Sequence, residues 1–189
     1  MKHLEISKSP VELNLNDFSM IGEPVINQLR FLKEIAGIFL DRQALSKINP
    51  ETLVYSVQSW LPVDEGTCGG LSFGVTTIMP GEIGKEYFMT KGHFHKESDR
   101  AEFYRGVRAK GMLILMDRER KTWAEVVYPG SLHYIGGEIA HRLANTGDEN
   151  LVVSACWPSD AGHDYDEITA NGFSARLLEV DGKPCLVNK

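Results

Sequence analysis

From Asn27 to Ile48 the apolar residues Leu29, Leu32, Ile35, Ala36, Phe39, Leu40 and Leu45 recur at steps of three and four. That period predicts a helix with one buried stripe, weakened or divided at Gly37 and ended by Asn49-Pro50. Beyond Pro50 the pattern changes to short runs rich in β-branched and aromatic residues: Leu53–Trp60, Leu71–Ile78, Tyr87–Thr90, Met112–Met116, Trp123–Val127, Leu132–Ile135 and Leu151–Trp157. Asp64-Glu65-Gly66, Pro80-Gly81, Pro129-Gly130, Gly136-Gly137 and Thr146-Gly147-Asp148 separate them. Short strands with turns at this spacing predict an all-β sandwich or barrel. The tail adds a short helix over Asp166–Ala170 and a strand over Ala175–Val180. No repeat, low-complexity tract or linker interrupts the chain. One domain over 1–189 is expected, with a β core near 50–175 and a helical or strand extension over 1–50.

Composition narrows the function classes. Hydrophobic residues at 42% and charged residues at 24% of 189 match an ordinary globular protein and exclude disorder. A net charge of −6 argues against nucleic-acid partners, which need a basic surface. Cys68, Cys156 and Cys185 are widely spaced with no Cys-x-x-Cys pair, as in a reducing compartment. The opening Met1-Lys2-His3-Leu4-Glu5 has no apolar secretory core, His3 reads as exposed tail, and no apolar run reaches the roughly 20 residues of a membrane helix. The expectation is a cytoplasmic protein without membrane contact.

The densest polar segment is Thr90-Lys91-Gly92-His93-Phe94-His95 with Lys96-Glu97-Ser98-Asp99-Arg100-Ala101-Glu102 behind it. Residues two apart on a strand share a face, so His93 and His95 present their imidazoles side by side, half of a metal site. Glu102 follows His95 by an odd number of residues, which a straight strand would send to the opposite face. A turn through Lys96 to Arg100 resolves this, with Glu102 leading a second strand and Tyr104 sharing its face. Taken alone, a His-x-His pair in a surface strand is more often solvated than metal-bound. Glu97, Asp99 and Arg100 read as turn charges. His141, at the start of a later β segment, supplies a fourth candidate ligand.

With these residues the chain resembles the cupins, whose first motif supplies two His and a Glu and whose second supplies a His followed four residues on by Asn, here His141 and Asn145. Gly130 sits where the second motif begins. Two turns depart from the pattern: Gly136-Gly137-Glu138 replaces Pro-x-Gly, and Ala109 stands where the usual Gly follows Glu102. The His95-to-Glu102 spacing, Asp99-Arg100-Ala101-Glu102 and Asp160-Ala161-Gly162-His163-Asp164-Tyr165 narrow the likeness. They make the chain similar to the cupin-type glucose-6-phosphate isomerases of archaea and a few bacteria. The likeness spans Phe31 to Phe173, including Pro80-Gly81 and Gly84-Lys85-Glu86.

The resemblance implies a mainly β, single-domain cupin, a double-stranded β-helix or jelly-roll barrel, with an N-terminal helical segment. It implies one divalent metal per chain on His93, His95, Glu102 and His141, with Fe(II) first and Mn(II), Ni(II) and Zn(II) as further candidates. Glu102, His163 and Tyr104 carry over as catalytic residues, and Thr76, Thr90, Gly92 and Tyr165 as binders of substrate phosphate and sugar. The implied reaction interconverts glucose 6-phosphate and fructose 6-phosphate, a step of glycolysis and gluconeogenesis. The implied assembly is a homodimer, with Leu53–Trp60 near its interface. Hydroxyl and glycine N–H donors can hold phosphate without a basic surface. Trp157 stands where the family has Tyr, so a hydroxyl contact there is lost. Blander readings remain open. Thr76 and Thr90 could be ordinary strand threonines, Tyr104 and Tyr165 core edges with a wet hydroxyl, and His163 a turn cap. His133 reads as structural or surface and Lys91 as solvated. A non-catalytic metal- or sugar-binding cupin and an Fe(II)-dependent dioxygenase stand as alternatives, because one fold hosts many chemistries. The Thr and Gly donors flanking His93 favour the isomerase.

Overall fold

A computed structural model of the chain describes residues 6–189, so His3 and the opening pentapeptide lie outside the described residues. In chain order the strands begin with β1 (Glu12–Leu13), β2 (Met20–Ile21), β3 (Ile26–Phe31), β4 (Leu53–Trp60) and β5 (Leu71–Ile78). They continue through β6 (Glu82–Ile83), β7 (Glu86–Tyr87), β8 (Glu102–Arg108), β9 (Gly111–Met116) and β10 (Thr122–Val127). The last are β11 (Leu132–Ile135), β12 (Ala140–Asn145), β13 (Leu151–Pro158), β14 (Ala175–Val180) and β15 (Lys183–Asn188). Three short α-helices, α1 (Leu32–Ile35), α2 (Arg42–Leu45) and α3 (Asp166–Asn171), and a 3-10 turn at Ala36–Ile38 complete the elements among the described residues.

All strand pairs are antiparallel. A six-stranded sheet runs β11-β8-β13-β5-β4-β3, a three-stranded sheet β10-β9-β12, and a four-stranded sheet β15-β14-β7-β6. The core joins the first two: Val54 of β4, Ile78 of β5, Leu113 and Leu115 of β9, and Leu143 of β12 belong to one buried cluster. The small sheet is extended by an irregular segment, because Met89 bridges to Ala144 and His93 to His141 along the free edge of β12. All six residues of β12 are buried, so both of its faces are covered.

Several expected strands coincide with the observed ones: Leu53–Trp60, Leu71–Ile78, Leu132–Ile135 and Ala175–Val180. The helix expected over Asn27 to Ile48 does not form as one element. Residues 26–31 are a strand hydrogen-bonded to β4, and only two four-residue helices and a 3-10 turn at Ala36–Ile38 follow. The apolar stripe is nonetheless used, since Leu32, Ile35 and Phe39 are buried. Pairing with β4 satisfies the backbone groups of β3. The Leu32 N–H then goes to Thr52 O at 2.8 Å and the Phe31 N–H to the Glu34 carboxylate at 2.7 Å, which starts α1 later than periodicity alone suggests. Leu29 and Leu40, which a continuous helix would bury, are exposed. Smaller differences accompany this one. Tyr87–Thr90 shrinks to β7 plus an isolated bridge at Met89, and the two-residue β1, β2 and β6 and the terminal β15 have no expected strand as counterpart. β4 is flanked by β3 and β5, so the open edge near it belongs to β3.

Candidate metal centre

Three stretches of chain meet at the floor of the barrel. The His93 N–H donates to His141 O at 3.3 Å and the His141 N–H to His93 O at 3.0 Å, which fixes the two histidines across from each other. Phe94, between the two motif histidines, turns the other way. It is fully buried, exchanges backbone bonds with Asp164, and carries the Arg118 guanidinium 3.8 Å from its ring centre. The turn through Lys96 to Arg100 returns the chain so that Glu102 opens β8. Gly137, in the turn before β12, is packed against the backbone of Ser98 and Arg100, where a Cβ would collide. The Gly136-Gly137-Glu138 departure therefore gives the ligand loop room.

The imidazoles are oriented from behind. His95 Nδ1 lies 2.6 Å from Arg100 O and His141 Nδ1 3.2 Å from Ile139 O. A carbonyl can only accept, so each Nδ1 carries the proton and each Nε2 keeps its lone pair. Glu102 Oε1 lies 2.6 Å from His141 Nε2 and 3.5 Å from His95 Nε2. The ligand atoms of His93, His95, Glu102 and His141 all fall within 4.8 Å of one another. Although close, Glu102 Oε1 and His141 Nε2 are buried with no hydrogen-bond partner of acceptable geometry. Two lone pairs facing each other in a dry pocket repel, and a cation between them removes that cost. Three imidazoles and one carboxylate fit a divalent first-row ion.

Burial alone would raise the Glu102 carboxyl, but the His141 and His95 imidazoles outweigh it and hold it well below the ordinary carboxylate range. Burial pushes His93 well below the ordinary imidazole value, with His141 and His163 adding to the effect. Burial also lowers His163. At His95 burial acts downward, yet the neighbouring Glu102 carboxylate outweighs it and raises the value. The Tyr104 hydroxyl is pushed well up by burial, with the Glu102 charge adding to it.

A cavity of about 420 Å³ opens above the cluster. His93, Glu102 and His141 line it, together with Thr76, Thr90, Gly92, Tyr104, His163 and Tyr165, while His95 sits behind the wall. Every substrate-side residue expected from the sequence is thus brought to one chamber. The Thr90 Oγ1 accepts the Leu143 N–H at 3.1 Å, which leaves its proton free to donate. Gly92 has φ +79 and packs 2.9 Å, measured from a would-be Cβ, against Phe173, so a side chain there would be strained and crowded. The His93 and His163 ring centres are 4.4 Å apart, and His163 stacks on Tyr165 at 5.9 Å and 8°. Lys91, expected to be solvated, is half-buried in the cavity wall with its Nζ 4.6 Å above the Tyr165 ring. His133 lies elsewhere, buried between Glu125 and Ser131, and is structural.

Sequence reasoning missed Tyr55 and Arg30, which line the same chamber. Arg30 was hidden by the helical reading; as a strand, Ile26, Gln28 and Arg30 share one face, and all three reach the cavity. Trp157 also lines it.

A family model described as "Glucose-6-phosphate isomerase (GPI)" matches residues 29–188. The chain is 37% identical over 182 residues to a glucose-6-phosphate isomerase of Thermococcus kodakarensis, covering 96% of this chain and 95% of that one. It is 36% identical over 183 residues to one of Pyrococcus horikoshii, covering 96% of each. Among solved structures, a mutant of Bacillus subtilis oxalate decarboxylase aligns at 18% identity and TM-score 0.46, covering 64% of this chain and 30% of that chain.

Proposed function

The chain belongs to the glucose-6-phosphate isomerase family, and from that membership we propose that it interconverts glucose 6-phosphate and fructose 6-phosphate in the chamber above the histidine cluster. The observation that carries the reading is the convergence of three imidazoles and one carboxylate whose facing atoms lack partners, beside hydroxyl and glycine donors suited to a phosphate.

The reaction moves a hydrogen between C2 and C1 and a proton between O1 and O2. A divalent ion on His93, His95, Glu102 and His141, with Fe(II) preferred over Mn(II), Ni(II) and Zn(II), would supply electrophilic polarisation of the substrate carbonyl. The Thr76 and Thr90 hydroxyls and the Gly92 N–H donate to the phosphate oxygens, with Arg30 and Lys91 adding positive charge from the wall. Glu102 carries the hydrogen of C2 to C1 as a proton. His163, kept neutral by burial, takes and returns the proton that moves between O1 and O2, and Tyr104 and His163 assist opening of the sugar ring. Tyr165 closes the sugar side of the chamber. A second reading follows from the depressed Glu102 carboxyl, which makes a poor base: Glu102 then serves as a ligand alone, and the hydrogen passes between the carbons as hydride.

The test is a coupled assay for fructose 6-phosphate on purified protein before and after chelation. Activity that disappears with chelator and returns with Fe(II) is expected; metal-replete protein without turnover overturns the reading. The three cysteines are free, in keeping with a cytoplasmic setting, and no helix among the described residues is long and apolar enough to cross a membrane. A homodimer is the expected assembly, given the preference for two-fold symmetric pairs and the open β3 edge with exposed Ile26 and Leu29. Light scattering that finds a stable monomer at micromolar concentration overturns it.

A further inference from the structure

A second cavity, of about 290 Å³, lies on the far side of β12 from the metal cluster. His141 and Leu143 line the first chamber, and Arg142, between them on the same strand, lines the second, as strand alternation requires. Arg176 of β14, Phe173, Ile114, Lys91 and Lys189 contribute to its walls. Lys91 is common to both chambers, so they share a wall.

Arg142 is 7% exposed, yet no carboxylate among the described residues pairs with it. Its Nη2 donates to Lys91 O at 2.8 Å, its Nη1 only to the Met89 thioether at 3.2 Å, and its Nε to nothing. Sulfur is a weak acceptor, and the remaining support is the face of Phe173, 4.1 Å from the guanidinium carbon. The buried carboxylate of the cavity, Glu86, is already engaged: Arg176 Nη1 takes one oxygen and the Leu40 N–H the other at 2.6 Å. Arg176 Nε is likewise without a partner. A buried cation lacking its counter-charge is costly, and a guanidinium with one Nη on a thioether and its Nε unpaired is poised for an oxyanion, which matches its planar fork.

We infer that this cavity is a second anion site, taking a small dianion that carries phosphate or carboxylate oxygens against Arg142 and Arg176, with Lys189 at its mouth. It does not rest on the isomerase reading. The probes are inorganic phosphate and malonate, titrated calorimetrically into the metal-loaded full chain, and tungstate soaked into crystals. Phosphate is expected to bind a class of site that tungstate density between the two guanidiniums marks. Arg176→Met should abolish that class. Because it strands Glu86, the surface change Lys189→Glu is the second variant, and it should weaken the same class by about tenfold through charge reversal. Tighter phosphate than malonate identifies a phosphate monoester as the natural ligand, and the reverse a dicarboxylate. Anion density confined to the Thr76 and Thr90 side, with titrations unchanged in a folded Lys189→Glu protein, overturns the inference and leaves the isomerase reading standing. Density between the arginines in a protein without isomerase activity upholds it while that reading fails.

Discussion

The Glu102 carboxylate is buried against His141 and His95, and this surrounding sets what it can do. A carboxylate held ionised suits a ligand and makes a weak base, so a single substitution separates the two roles. In Glu102→Gln with metal occupancy measured in the same sample, kcat should fall by at least about a hundredfold if the carboxylate moves the proton. Glucose 6-phosphate deuterated at C2 gives the independent readout. A carboxylate base exposed to water between turnovers loses part of the label to solvent, whereas a direct hydride transfer delivers it intact to C1. Full retention together with a nearly unimpaired, metal-replete Gln variant would leave Glu102 as a ligand only.

Among the elements, the β8–β9 hairpin carries an avoidable strain. Ala109 in its turn has φ 62, a left-handed conformation in which a Cβ is crowded and glycine is not. Ala109→Gly removes that crowding at the cost of a freer unfolded chain, so a net gain of about 0.5–1 kcal/mol is expected. Thermal unfolding should shift upward by roughly 1–4 °C for a chain of this size; an unchanged or lower midpoint would show that the turn bears no strain. The hairpin on the other side of β12 is held differently. Asn145 is fully buried, its amide donates to Ile78 O at 2.9 Å and Glu149 O at 2.8 Å, and its carbonyl accepts the Gly147 N–H at 3.0 Å. The second-motif Asn thus ties the β12–β13 turn to β5 and is not part of the histidine and carboxylate cluster.

Across the whole molecule, a bound ion would tie together the 93–95 segment, β8 and β12, which no disulfide joins. Metal that binds only the folded state adds its binding free energy to stability, about 2.7 kcal/mol when present at a hundred times its Kd. Chelation is therefore expected to lower the unfolding midpoint by roughly 5–10 °C, and adding back a divalent ion should restore it. A midpoint indifferent to chelator, in protein shown by elemental analysis to have carried metal, would mean that the ion does not link these elements.

Local chemistry made much of this legible in the chain itself. The His-x-His face, the odd step to Glu102 and the polar turn between them call for an extended segment, a reversal and a strand, and the structure has the reversal and the strand, while 93–95 is held only by isolated bridges to His141 and Asp164. Strands such as Leu53–Trp60 and Leu71–Ile78 announce themselves through β-branched residues bounded by turn formers. Tertiary structure alone decided the rest, because competing local preferences were settled by distant partners. Residues 26–31 follow a helical apolar period but become a strand because β4 offers their backbone a full ladder of hydrogen bonds. That pairing brings Arg30 into the chamber. The partnerless Glu102 and His141 atoms, and the uncompensated Arg142 behind them, arise only when β12 is buried on both faces. Strand alternation then assigns its histidine to one chamber and its arginine to the other.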